Sequence, residues 1–248
     1  VAERSDHLLA AQLASETGER LEDMQADLLQ DPRHSYWGWP GEEADARGHD
    51  YLSDQIGSRR PLDGLLSEEG HDDRKRLDHD RVWIVDPLDG SNGYGQGAAE
   101  WAVHVGLVEG NEATAGAVAV PGLGAVFSTH VPPTVPERSD GPVRVVAGRS
   151  RVRTDGRRVA AALDAELMAC GSSGVKAMLV VLGEADVYIH GGPLYEWDVC
   201  APAVVALAAG LHVSGADGSH LVFNQHRPIV PGFVVTRPEL AEATLNAL

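Results

Sequence analysis

Cysteine is nearly absent from this chain. Cys170 and Cys200 are the only two in 248 residues and form no Cys-x-x-Cys pair, which excludes a disulfide framework and a structural zinc site and fits a reducing cytoplasm. Lysine is just as scarce: Lys75 and Lys176 stand alone, and arginine carries the rest of the positive charge. No apolar run approaches the roughly 18 residues a membrane span needs, and an N-terminus carrying Glu3 and Asp6 lacks the pattern of a signal peptide. The expectation is therefore a cytoplasmic protein with no membrane partner. Basic residues are in deficit, 20 Lys and Arg against 37 Asp and Glu, for a formal charge of −17. Such a surface repels phosphate backbones at long range and excludes nucleic-acid polymers as partners. A small anionic substrate stays open, because bound divalent cations and helix N-termini reverse the potential locally.

The length suffices for one large domain or two ordinary ones with real cores. Leu8, Leu9, Leu13, Leu21, Met24 and Leu28 recur at mostly three-to-four-residue spacing and predict an amphipathic helix over 6–29, stopping at Asp31-Pro32. A second helix is expected over 42–56, against the cost of Gly48. Leu65-Leu66-Ser67 reads as a strand, and so does Val82-Trp83-Ile84-Val85, ended abruptly by Asp86-Pro87-Leu88-Asp89-Gly90. Strands over 101–108, 113–120 and 125–130, joined by turns at Glu109–Glu112 and Pro121–Gly124, predict an antiparallel meander. Four prolines in 131–142 mark a boundary, dividing the chain into an α+β domain, 1–135, and an α/β domain, 136–248. In the latter, strands at 143–146, 185–190 and 233–235 alternate with helices at 151–163, 173–182, 198–209 and 238–248.

The carboxylates carry the chemistry. Mg²⁺ takes one or two carboxylates per ion and fills its octahedron with water and substrate phosphate, so a phosphatase using several ions needs acids converging from separate segments. Asp86 and Asp89 lie three apart across a proline bend, Glu68 follows another strand, and Asp198 opens an apolar helix. Each also has an ordinary reading. Asp-Gly and Asp-Pro are turn chemistry, Asp198 makes a good helix cap, and Glu68-Glu69 suits a solvated edge.

Their order and neighbours decide between the two. Leu66-Ser67-Glu68-Glu69, then Trp83-Ile84-Val85-Asp86-Pro87-Leu88-Asp89-Gly90-Ser91, then Trp197-Asp198 with Ala201–Gly210, resembles the inositol monophosphatase superfamily of metal-dependent, lithium-sensitive phosphatases over nearly the whole chain. Within it, Trp101-Ala102-Val103-His104 and Gly191-Gly192 with Glu196-Trp197-Asp198 look most like CysQ-type 3'(2'),5'-bisphosphate nucleotidases. The resemblance implies a layered α/β/α/β/α sandwich of the inositol monophosphatase and fructose-1,6-bisphosphatase type. It implies two or three Mg²⁺ ions held by Glu68, Asp86, Asp89, Asp198 and the Leu88 carbonyl. Asp45 and Ser91, the latter where the family usually has Thr, would aim the attacking water, with Glu68 also catalytic and Glu69 behind it. Asp89, Gly90, Ser91, Ser173, Gly174, Lys176 and Asp198 would contact substrate, Lys176 reaching a second phosphate unless it is merely an exposed lysine. Asn92-Gly93-Tyr94 departs from the basic residue, Glu and Phe usual in bisphosphate nucleotidases. An inositol or sugar phosphatase is therefore the alternative, and a non-catalytic metal-binding regulator the third reading. The expected partner is a small phosphorylated metabolite, the expected state a monomer or homodimer.

Overall fold

The computed structural model describes residues 2–30, 40–72, 74–149 and 152–248. Helix α1 (Arg4–Gln30) buries Leu9, Leu13 and Leu21 along one stripe, as the spacing predicts. Its expected stop at Asp31-Pro32 lies outside the described residues. Helix α2 (Pro40–Arg59) is longer than expected at both ends. Gly48 is an asset there, since a Cβ at that position would come within 2.9 Å of Pro87 Cβ. The close approach brings the α2 residue Asp45 to the end of the neighbouring sheet.

That sheet consists of β1 (Gly64–Ser67), β2 (Arg81–Asp89), β3 (Ala102–Glu109), β4 (Glu112–Val120) and β5 (Ala125–Ser128), in that spatial order. From β3 to β5 it is the expected antiparallel meander, which β2 extends by pairing antiparallel to β3, with β1 added parallel to β2. A short helix, α3 (Ser91–Tyr94), follows β2. The second half contains β6 (Arg144–Gly148), α4 (Arg157–Ala162), β7 (Glu166–Cys170), α5 (Ser173–Val181), β8 (Val187–His190), β9 (Leu194–Tyr195), α6 (Cys200–Ala208), β10 (His212–Ser214), β11 (Ile229–Val230), β12 (Phe233–Thr236) and α7 (Ala241–Ala247). Its main sheet runs β10-β12-β8-β6-β7, while β9 and β11 form a separate ribbon.

Alternation along each strand places the layers. Trp83, Val85, Val103, Val105 and Leu107 face α1 and α2, whereas Val82, Ile84 and Ala102 face the opposite way, into the core shared with α5 and α6. Val145, Ala147, Val187, Ile189 and Val234 of the second sheet pack outward against α4 and α7. The order of layers is thus helices, sheet, helices, sheet, helices, as expected. Among the described residues no helix is long and apolar enough to cross a membrane.

The structure corrects several boundaries. Strand β2 does not stop before Asp86 but continues through Asp89. Strand β7 was not anticipated, being an edge strand with only Cys170 buried, and β10 is too short to show a period. Of the helix expected over 151–163, Arg151 lies outside the described residues, Val152–Gly156 form a π-helical turn, and α4 follows. The helix expected over 198–209 begins only at Cys200, after a 3₁₀ turn Glu196–Asp198.

Candidate active site

In a regular strand, residues three apart face opposite sides of the sheet. Asp86 and Asp89 escape this because Asp86 pairs with His104 and Asp89 with Ala102, so three steps on β2 match two on β3. The extra residue is a β-bulge, located where Pro87 has no N–H to give to a ladder. Leu88 N–H folds back to Asp86 Oδ1 at 3.0 Å. Both aspartates end on the face toward α5 and α6, and the 3₁₀ turn brings Asp198 to meet them. One oxygen from each of Asp86, Asp89 and Asp198 lies within 4.8 Å of the others. Asp198 does not cap α6, whose preceding residue is Val199 with no side-chain cap.

Crowded, buried acids raise one another's proton affinity. Asp86 is fully buried, and burial followed by Glu68, Asp89 and Asp198 pushes its carboxyl far above the carboxylate range. Asp198 is pushed up to about 7 by burial and then Asp89. Asp45 reaches about 8 through burial, Glu68, Glu69 and Asp89. Glu68, on the open side, is raised by desolvation, a shift that Asp86 as a hydrogen-bond partner opposes and Asp89 reinforces. Asp89 is the exception. Burial works against its ionisation, but His104, Lys176 and Ser172 hold it below its usual value. Its Oδ2 accepts the Ser172 hydroxyl at 2.5 Å and the Gly174 N–H at 2.7 Å, with His104 Nε2 3.3 Å away.

His104 was not singled out as a site residue, although a lone imidazole in the apolar run of β3 was a visible signal. It is fully buried, and Nδ1 lies 3.0 Å from the Trp197 carbonyl, one residue before Asp198. Burial works against its protonation, yet Asp89 outweighs that and raises it above its ordinary value. Ser172 was likewise unassigned. It is the N-cap of α5, its Oγ accepting the Val175 N–H at 3.0 Å while donating to Asp89.

Other expected residues take distinct places. Ser91 opens α3, where the N–H groups of Gly93 and Tyr94 donate to the Gly90 carbonyl and those of Ser91 and Asn92, at the very start, have no intrahelical acceptor. Asp45 Oδ1 is buried and without a hydrogen-bond partner, and so is Asp86 Oδ2. Ser173 Oγ lies 3.0 Å from Tyr188 Oη. Lys176 is not an exposed lysine. It is 2% exposed, and Nζ donates to the carbonyls of Gly171 at 2.8 Å and Ser172 at 2.5 Å. Tyr94 faces away from the site, its hydroxyl donating to Leu21 O at 2.6 Å and its ring set edge-on to Trp101.

A cleft of about 380 Å³ opens over the cluster, lined by Asp89, Gly90, Asn92, Gly93, Glu100, Arg149, Ser173, Lys176, Tyr188 and Asp198. A wider cleft, about 780 Å³, lies at the far end of β2 around Arg81. Its Arg81 is already paired with Asp6, Asp63 and Glu109, so the carboxylate cluster and not size decides the site. On the outer side a strut joins the two halves. Buried Glu196 accepts the N–H groups of Asn224 and Gln225 at 2.7 and 2.8 Å. Arg76 reaches the same pair from the other half, at 2.6 Å to Asn224 Oδ1 and 2.9 Å to Gln225 O, while paired with Asp72.

The profile of the inositol monophosphatase family matches residues 40–248. The chain belongs to the inositol monophosphatase family. Like its named relatives it is a phosphatase, a hydrolase of phosphate monoesters. It is 38% identical to the 3'-phosphoadenosine 5'-phosphate phosphatase of Mycobacterium leprae, over 100% of this chain and 94% of that protein. It is 28% identical to the 3'(2'),5'-bisphosphate nucleotidase CysQ of Escherichia coli K12, over 79% and 85%. The crystal structure of CysQ from Bacteroides thetaiotaomicron superposes with a TM-score of 0.78 at 26% identity, covering 94% of this chain and 97% of that one.

Proposed function

We propose that this chain hydrolyses one phosphate monoester of a nucleoside bisphosphate, adenosine 3',5'-bisphosphate or a close relative, with Mg²⁺ at the junction of the 1–135 and 136–248 halves. The observation that carries the reading is the meeting of Asp86, Asp89 and Asp198 within 4.8 Å on the floor of a cleft. The carboxyls of Glu68, Asp86, Asp89 and Asp198, with Asp86 Oδ2 buried and lacking a hydrogen-bond partner, make a hard, oxygen-only donor set that suits Mg²⁺. Glu68, Asp86, Asp89, Asp198 and the Leu88 carbonyl would hold two or three ions. Bound there, Mg²⁺ supplies neutralisation of phosphate charge and acidification of water.

The chain's own groups do the positioning. Asp45, whose buried Oδ1 has no hydrogen-bond partner, is the group to take the proton of the attacking water, which the Ser91 hydroxyl helps to aim. The N–H groups of Gly90 and Ser91 hold the phosphate oxygens, and the remaining substrate contacts come from Ser173, Lys176, Asp89 and Asp198. Gly174 acts through Asp89. Substrate class follows the relatives, both named for bisphosphate substrates. Tyr94, being core, no longer counts against that class, while Asn92 and Gly93 do line the cleft. We take the enzyme to work in the cytoplasm, as a monomer or homodimer. Phosphate release from adenosine 3',5'-bisphosphate, inositol 1-phosphate and fructose 1,6-bisphosphate, each with Mg²⁺ and with excess chelator, tests the reading. The nucleotide should have the highest kcat/KM and the chelator should abolish turnover. Preference for inositol phosphate would favour the monophosphatase alternative.

A further inference from the structure

A substrate with one phosphate among Asp86, Asp89 and Asp198 needs a cation with unspent donors for the other. Lys176, 2% exposed, has only one of its three N–H donors left after the Gly171 and Ser172 carbonyls, too few to hold a whole phosphate group in two-pronged fashion. Arg149 provides that cation. It follows β6, lines the same cleft as Asp89 and Asp198, and keeps its side chain 59% exposed. Its Nη2 lies 2.6 Å from Glu100 Oε2, the oxygen that also accepts the Gly171 N–H at 3.0 Å. Glu100 precedes β3 in the first half of the chain, whereas Arg149 and Gly171 belong to the second, so the ion pair bridges the mouth of the cleft. Gly171 makes room for it, since a Cβ there would lie 2.7 Å from Arg149 Nη1.

Building on the phosphatase reading above, we propose that Arg149 determines specificity by binding the second phosphate of the substrate, and that Glu100 is the partner this phosphate displaces. An ion pair in solvent is weak, and a phosphate dianion offers the planar guanidinium a two-pronged, more highly charged acceptor. A monophosphate has nothing to exchange and leaves Glu100 in place. Glu100 then both holds Arg149 ready and keeps weaker anions from it.

The test compares kcat/KM for adenosine 3',5'-bisphosphate and adenosine 3'-monophosphate in the parent enzyme and in Arg149→Met, Arg149→Lys and Glu100→Gln. The bisphosphate-to-monophosphate ratio should fall on the order of ten- to hundredfold in Arg149→Met, through KM, the range for losing a hydrogen-bonded charge. Arg149→Lys should restore part of it. Glu100→Gln should move the opposite way, lowering KM for the bisphosphate severalfold. An unchanged ratio in Arg149→Met, or an equal fall on both substrates, would overturn the role of Arg149 alone. A parent enzyme without preference for the bisphosphate would overturn the substrate reading itself, before any variant is made.

Discussion

His104 occupies the space that a side chain on Gly174 would need: a Cβ there would stand 2.1 Å from His104 Nε2. The two residues close on Asp89 together, one through a ring nitrogen and one through a backbone N–H. Gly174→Ala must push the imidazole out of its buried position or the α5 turn off Asp89. Overpacking of this kind costs about 1–3 kcal/mol, which thermal unfolding would read as a lower Tm. Turnover should fall together with Tm. A stable, fully active variant would show that the contact does not position Asp89.

Asp198→Asn removes a carboxylate charge at nearly constant volume, from a residue that caps no helix. Turnover should drop at least about a hundredfold, the scale of losing a key electrostatic group, with the fold retained. Asp89→Asn should lose as much activity and also stability, because the charge that receives Ser172, Gly174 and His104 is gone. Circular dichroism beside steady-state kinetics separates the two outcomes.

The crowded acids give the metal-free protein an unusual pH dependence. Asp198 at about 7 and Asp45 at about 8 bind protons more tightly folded than unfolded. Their contribution to stability is therefore complete below the ordinary carboxylate range and is lost as pH rises toward those values. Chelator-treated protein should show a falling Tm from pH 5.5 to 8.5. Added Mg²⁺ competes with those protons, so its stabilising effect should be larger at pH 8 than at pH 5.5. A Tm that climbs over this range without metal would contradict the crowding.

Lys176→Met should affect monophosphate and bisphosphate substrates alike, unlike Arg149→Met. Its ammonium holds the Gly171 and Ser172 carbonyls, the loop that presents Ser172 to Asp89. Each buried carbonyl left without its donor costs roughly 1–3 kcal/mol. Parallel kinetics on the two substrates, with thermal unfolding, check both parts.

The acids were legible because their motifs carry chemistry that turns and caps do not require in that order. What hid from the sequence was geometry between segments. Asp86-Pro87-Leu88-Asp89 reads as the end of a strand, and only pairing with β3 shows a bulge that turns both carboxylates to one face. Lys176 reads as a phosphate contact or else a solvated lysine, since nothing local reveals the two carbonyls curled around its ammonium. Tyr94 is next to cleft residues in sequence, but its side chain goes to Leu21 in α1, a partner 73 positions away.

The strut through Glu196, Asn224, Gln225 and Arg76 bears on how freely the protein can be redesigned. The stretch between β10 and β11 has no regular secondary structure and would ordinarily invite trimming or the insertion of a foreign domain. Its residues 224 and 225 nonetheless set the spacing between the turn that carries Asp198 and the Lys75–Asp78 turn that carries Arg76. A graft at 215–219 leaves that spacing alone, whereas a deletion reaching Asn224 removes the spacer. The loop is tolerant at one end and dimensionally fixed at the other.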